Sequence, residues 1–218
     1  MFSKLPKIFR TAVLSASAGL LFAVALPAAQ ASVVYSNLNA AQTGSDPVYG
    51  TGPLANSFTT DAGGGTLNAI QALLMNLGPD VVSSIQVNLL SSSSGAPGST
   101  LASFISRSSS DVASSGFAAY TFALASGYTL AANTTYWIEI LASDANAIQW
   151  SYSSDLSGVG VAGESSYASA FGVSTNADAV AAGFGPYQMT VELPEPGSFA
   201  LVGLGLAGVL VMRRRKQI

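Results

Sequence analysis

Between residues 32 and 193 the apolar side chains come in short runs, cut apart by clusters of Gly, Pro, Ser and Asp, and no segment sustains a helical repeat. Turn formers at that spacing leave no room for long amphipathic helices. They favour short strands that alternate in and out of a core. The pattern predicts an all-β domain, an antiparallel β sandwich of jelly-roll-like type. Strands are expected over residues 33–37, 56–60, 67–77, 84–91, 100–106, 118–124, 135–142, 147–153 and 187–193. Gly95-Ala96-Pro97-Gly98 and Leu77-Gly78-Pro79-Asp80 read as turns. Residues 157–185, rich in Gly, Ala and Ser, read as loop with a short strand or two.

The clearest strand is Thr135-Tyr136-Trp137-Ile138-Glu139-Ile140-Leu141. Period-two alternation puts Tyr136, Ile138 and Ile140 on one face and Trp137, Glu139 and Leu141 on the other. Ile148, Trp150 and Tyr152 share a face of the next strand, so the two strands are expected to form a hairpin whose aromatics fill the core. Tyr120 and Phe122 line one face of a third strand in the same way, followed by Leu124.

The chain has 218 residues and contains neither Cys nor His. Disulfides, thiolate and imidazole metal sites, and Ser-His-Asp or Cys-His nucleophiles are therefore excluded together. Charge is segregated. Ten of the 11 acidic residues but only one of the 8 basic residues, Arg107, fall within residues 32–193. A body so acidic repels phosphate backbones, which argues against nucleic-acid binding. The other bases stand at the ends: Lys4, Lys7 and Arg10, then Arg213, Arg214, Arg215 and Lys216.

The first 31 residues read as a secretory signal helix. A basic start precedes an apolar run from Thr11 to Leu26, Pro27 breaks the helix, and Ala29-Gln30-Ala31 supplies small residues for cleavage before Ser32 by a signal peptidase. At the other end, Phe199 to Met212 is a run of 14 residues without a charge. As a helix it would span about 21 Å, short of the ~30 Å hydrocarbon core, and Gly203, Gly205 and Gly208 weaken it further. A short transmembrane helix over about 197–214 is expected, holding the chain at least transiently, with the closing basic residues on the cytoplasmic side. The expected organisation is signal peptide 1–31, β-sandwich ectodomain 32–193 and a C-terminal segment 194–218.

Pro194-Glu195-Pro196, the apolar Gly/Leu-rich run and Arg213-Arg214-Arg215-Lys216 occur in the order and spacing of a sorting signal, and the tail resembles the PEP-CTERM signal. The resemblance implies an exported protein of a Gram-negative bacterium that makes exopolysaccharide. It also implies handling by an exosortase, a membrane transpeptidase acting near the Pro-Glu-Pro, and delivery to the outer cell surface or matrix. The same tail is elsewhere labelled an ice-binding protein C-terminal region, a label with no bearing on ice chemistry. The body resembles the choice-of-anchor R domain. That likeness rests on a Gly-Ala-Pro-Gly turn, the stretch from Leu130 to Glu139, then Trp150, then Tyr187-Gln188-Met189 before a final strand. It implies an exported β module and carries over no catalytic residue.

Three chemistries remain. Paired carboxylates would hydrolyse a glycosidic bond if two flanked a cleft, and Glu139, set in an apolar strand, is the acid to watch. It either faces solvent or pairs with Arg107. Oxygen ligands for Ca²⁺ are offered by Ser143-Asp144-Ala145-Asn146 and Asn176-Ala177-Asp178, which are also ordinary turn formers. Sugar binding would use Trp137, Trp150 and Tyr152, with Tyr167 and Tyr187 as further aromatics. The expectation is a non-enzymatic envelope or matrix protein, structural or adhesive and linked to exopolysaccharide. A carbohydrate-binding module comes next, then a carboxylate glycosidase.

Overall fold

The computed structural model describes residues 31–48, 52–78, 82–143 and 148–194. The expected signal helix with Ala29, the expected membrane helix, Glu195, Pro196 and the basic cluster Arg213 to Lys216 lie outside the described residues.

Among the described residues thirteen strands and one α-helix follow in chain order, with a 3₁₀ turn at Ser109–Asp111 between the seventh and eighth strands. They are β1 Ala31–Ser36, β2 Gly44–Pro47, β3 Leu54–Thr59, β4 Gly65–Asn76, β5 Ser84–Ser93, β6 Ala96–Ser103, β7 Arg107–Ser108, β8 Ala118–Leu130, β9 Thr135–Ala142, β10 Ile148–Tyr152, β11 Ser165–Ala168, β12 Gly172–Thr175, α1 Asn176–Ala182 and β13 Met189–Pro194. Every pairing is antiparallel. One sheet runs β1-β13-β4-β10-β2, with β8 on the far edge of β4. The other runs β12-β11-β3-β9-β5-β6, with β7 added to β5. The expected sandwich is present.

Alternation builds the core as the sequence implies. Tyr136, Ile138 and Ile140 of β9 meet Ile85, Val87 and Leu89 of the neighbouring β5, and all six are buried against Leu67, Ile70, Leu74, Phe122 and Trp150. The opposite face of β9 carries Trp137, which is itself buried in a small second cluster with Ala55 and Leu90, covered by Tyr167.

The expected β9–β10 hairpin is not formed. β9 lies between β3 and β5 in one sheet, and β10 lies between β4 and β2 in the other. Tyr136 of β9 and Trp150 of β10 enter the same interior from opposite sides, because period-two patterning specifies a face and not a partner. The Gly95-Ala96-Pro97-Gly98 turn is also shifted. Ser93 pairs with Ala96, so the tip is Ser94-Gly95, with φ of 52° and 79°. Positive φ at both central residues is the two-residue hairpin turn that matches strand twist, and Gly is favoured there. Pro97 then sits in edge strand β6, where a missing N–H is tolerated.

The Gly/Ala/Ser-rich stretch holds the two short strands β11 and β12, and also the helix α1. Thr175 caps α1, its hydroxyl accepting from the Asp178 N–H at 3.2 Å and donating to the Asp178 carboxylate at 2.7 Å. Gly183 ends it at φ 85°. Asn176-Ala177-Asp178 is thus a helix start and not a loop of free oxygens.

Trp150 fills the centre of the sandwich with its indole at 0 % exposure. Trp150→Ala should cost about 3–5 kcal/mol, read from the urea midpoint of the wild-type and variant proteins.

Candidate functional site

β10 and β13 share one edge of β4. Residues 148–150 pair with 76–74, and residues 189–191 continue along 72–70. The join is sealed by polar groups. The Trp150 indole N–H donates to the Gln188 carbonyl at 3.0 Å, and the Gln188 side-chain amide donates to Ala40 O at 2.7 Å. Ser151 Oγ donates to Gln188 Oε1, and the Met189 N–H donates to Asn37 Oδ1 at 2.9 Å. Tyr187 stacks on Trp150 with ring centroids 4.7 Å apart.

Asp46 stands at the rim of this join. It lies on edge strand β2, directly opposite Trp150, and accepts the Tyr187 hydroxyl at 2.9 Å. Tyr152, half-buried, lies so close over Gly44 that a side chain there would displace its ring. Burial pushes the Asp46 carboxyl above its ordinary range, with the Tyr187 bond opposing that shift. Asp46 also lines a notch of about 180 Å³ with Pro47, Gly52, Leu54, Ala168 and Phe171. Phe171 is 58 % exposed and stacks at 4.7 Å on buried Phe184. A half-buried carboxylate thus shares a small concave surface with an exposed aromatic ring. Nothing in the sequence marked it, because Gly44-Ser45-Asp46-Pro47 has the composition of a turn.

Deeper, the alternation of β3 turns Asn56 into the interior between Leu54 and Phe58. The Ser166 hydroxyl lies 2.8 Å from Asn56 Oδ1 and 2.7 Å from Asn176 Oδ1, and Asn176 Nδ2 donates to Val161 O at 2.7 Å. On the other side of β3, Ser57 donates to the buried Glu164 carboxylate. Tyr35 is fully buried near these groups, yet its hydroxyl makes no hydrogen bond to them. Burial drives its pKa up, the amides of Asn56 and Asn176 pulling the other way and the Glu164 charge adding to the rise.

The residues singled out from sequence are dispersed. Trp137 and Trp150 are core side chains at 1 % and 0 % exposure, so neither offers an open platform for a sugar, and Tyr187 is buried with them. Tyr152 and Tyr167 are half-buried. Glu139 accepts from Asn88 Nδ2 at 3.0 Å, and the Asn88 carbonyl in turn accepts from Ser103 at 2.9 Å. Its expected partner Arg107 is engaged elsewhere, lying over the rings of Tyr120 and Phe122 at 5.5 and 5.8 Å and donating to Thr121 O at 3.2 Å. Among the described residues no three acidic side chains come together to hold a metal ion. Of the Ser143–Asn146 oxygens, only Ser143 is described, and its hydroxyl accepts from the Ser84 N–H at 3.0 Å. Pro194 and Ser32 fall in strands, Pro194 opposite Ala31 and Ser32 opposite Leu193.

Two substitutions separate these polar groups. Tyr35→Phe removes a buried hydroxyl that makes no bond, so it should raise stability by about 1 kcal/mol in urea unfolding, whereas Ser166→Ala should lower it. Asp46 has a folded pKa above its unfolded value of 3.8, so the folded state binds the extra proton. Stability from this group is therefore greatest below the unfolded pKa and falls as pH rises through the window up to the folded pKa. Asp46→Asn keeps an acceptor for Tyr187 and should remove that fall, seen as a flatter pH profile in parallel unfolding series.

Residues 192–216 match the family model of the PEP-CTERM protein-sorting motif, which begins inside β13. A search of curated proteins found no match. Among the described residues no helix is long and apolar enough to cross a membrane. The motif implies processing by an exosortase, and the chain is an exported, cell-surface protein on that ground.

Proposed function

We propose that the sandwich is a non-enzymatic structural or adhesive module of the outer surface or extracellular matrix of a Gram-negative bacterium, held in exopolysaccharide after its tail has been handled. The observation that carries this reading is the sorting motif joined directly to the domain's own strand β13. A destination signal fused to a compact body delivers that body. The body supports a passive role. It has neither His nor Cys, and Glu139 is engaged in an amide ladder on a sheet face rather than facing a second acid across a cleft. Solubility rests on hydroxyls and amides, as on the β5–β6 hairpin, where Ser91 and Ser99 bond one another at 3.3 Å.

A carbohydrate-binding role is the second reading, and one observation favours it. The Asp46–Phe171 notch pairs an acceptor for sugar hydroxyls with a ring for a sugar's apolar face, in a volume suited to a single residue of a chain. Trp137 and Trp150 take no part in it.

Deletion of the gene in an exopolysaccharide-producing host should leave growth intact and weaken cell-to-matrix cohesion, while the mature protein should co-purify with the polysaccharide. Phe171→Ala and Asp46→Asn discriminate the two readings. Loss of polysaccharide retention without a fall in the urea midpoint favours the binding module. Retention unchanged in both variants favours the purely structural role.

A further inference from the structure

The outer face of the sheet carries a continuous polar row across β1, β13, β4 and β8. Ser36 stands opposite Thr190, Thr190 opposite Gln71, and Gln71 opposite Thr121. Directly opposed residues share a face, and their neighbours Val191, Ile70 and Phe122 are buried in the core, so the row points outward. Its rungs are bonded in pairs, Ser36 to Thr190 at 2.9 Å and Gln71 to Thr121 at 3.4 Å. At the strand spacing of a β-sheet, four rungs span about 14 Å.

Small residues keep the row open. Ala69 faces Ala123 on one side of it, and Leu73 faces Ala119 on the other. Gln71, Thr121 and Thr190 line a hollow of about 200 Å³, together with Asn68, Glu192 and Pro194. A second hollow, of about 280 Å³, shares Thr121 and adds Ser106, Arg107, Ser108 and Asp111. Arg107 donates to the Thr121 carbonyl at 3.2 Å, which fixes the end rung between the two hollows. Thr190 lies low at 7 % exposure, so the exposed Gln71 and Thr121 offer the principal contacts.

The chemistry of the row selects its occupant. A hydroxyl or a primary amide both donates and accepts, so each rung keeps hydrogen-bonding capacity beyond the bond to its neighbour. Sugar hydroxyls have the same dual character. The row itself is uncharged, while the exposed acids Glu192 and Asp111 stand one in each hollow. Arg107, the single cation among the described residues, is half-buried over Tyr120 and Phe122. A polyuronate would bring its carboxylates beside those acids, and like charges so placed oppose binding.

We infer that this sheet face is a polysaccharide-binding track: an uncharged glycan strand lies along Ser36, Thr190, Gln71 and Thr121 and exchanges hydrogen bonds with them. This rests on the reading that the mature protein is held in exopolysaccharide. It uses none of the residues that line the Asp46–Phe171 notch.

Affinity electrophoresis of the full chain in non-ionic detergent reads the contact. The native gels carry polysaccharide purified from the host, dextran, hydroxyethyl-cellulose or alginate. The wild type should be retarded by the host polysaccharide, and by an uncharged glucan more than by alginate. Gln71→Val combined with Thr121→Val keeps residues suited to strands and should weaken retardation about tenfold, the loss expected of two hydrogen bonds. Ala123→Gln, which crowds the hollow without removing a rung, should weaken it too, and Phe171→Ala should not. Urea midpoints show which variants keep wild-type stability, and Ala123→Gln decides if the double variant is destabilised. Unchanged retardation in the row variants, or stronger retardation by alginate than by either glucan, overturns the inference and leaves the exopolysaccharide reading standing. Retardation lost in Phe171→Ala alone moves the contact to the notch and overturns it likewise. A wild type that no gel retards, the host polysaccharide included, overturns both.

Discussion

The splice of β10 and β13 onto one edge of β4 is the constraint on which the sandwich depends. Two strands laid end to end leave a seam where neither ladder is continuous, and a buried seam exposes backbone groups that must find partners. Gln188 resolves this. Its N–H donates to Ser151 O at 2.8 Å, its own carbonyl accepts from the Leu73 N–H and from the Trp150 indole, both at 3.0 Å, and its side-chain amide reaches the loop after β1. One residue thus ties the two spliced strands, β4 and the loop after β1 together, and Trp150 and Tyr187 stack beside it as the apolar half of the same joint.

Electrostatics follow from that architecture. The described residues contain a single cation, Arg107, and it is used over aromatic rings and a carbonyl, not on a carboxylate. Acidic groups are stabilised by neutral donors instead: Asn88 for Glu139, Ser57 for Glu164 and Tyr187 for Asp46. Such bonds hold a carboxylate without the desolvation of a second charge. They also leave the body with a clear excess of negative charge, which opposes association with other polyanions.

Strands with large alternating side chains were legible in the sequence, and each of the nine expected segments overlaps one. What escaped was carried by small residues. Gly44–Pro47 is a strand because β10 offers it an edge, not because its own side chains alternate, and the short strand or two expected within residues 157–185 are Ser165–Ala168 and Gly172–Thr175, which pairing with β3 and with each other places. For α1 the signal existed. Thr175 and Asp178 have capping-box spacing and Gly183 has the place of a helix stop, but Asn176-Ala177-Asp178 also has the composition of a turn. The β9–β10 pairing misled because a short connection ordinarily means a hairpin, and here it crosses between sheets. The same limit hid the Asp46–Phe171 notch, whose two contributors are 125 positions apart in sequence and meet only where β2 and the segment after β11 reach the same end of the sandwich.

The sorting motif was legible because an enzyme reads it as sequence, and a linear signal must survive without a fold. Its first residues nonetheless belong to the fold. Glu192, Leu193 and Pro194 fall within the matched motif and also within β13, where they pair with Val33, Ser32 and Ala31. A residue under both demands has to satisfy each. Leu193 meets the fold by filling space against Gly65, and Pro194 meets it by ending a strand, where the missing N–H forfeits least. Placing the label at the end of β13, where residues 192–194 pair with β1 alone, couples delivery to folding: a sheet that has failed to take up β13 would expose residues 189–194 to any protease at the surface, so a misfolded body is open to removal where a folded one is protected.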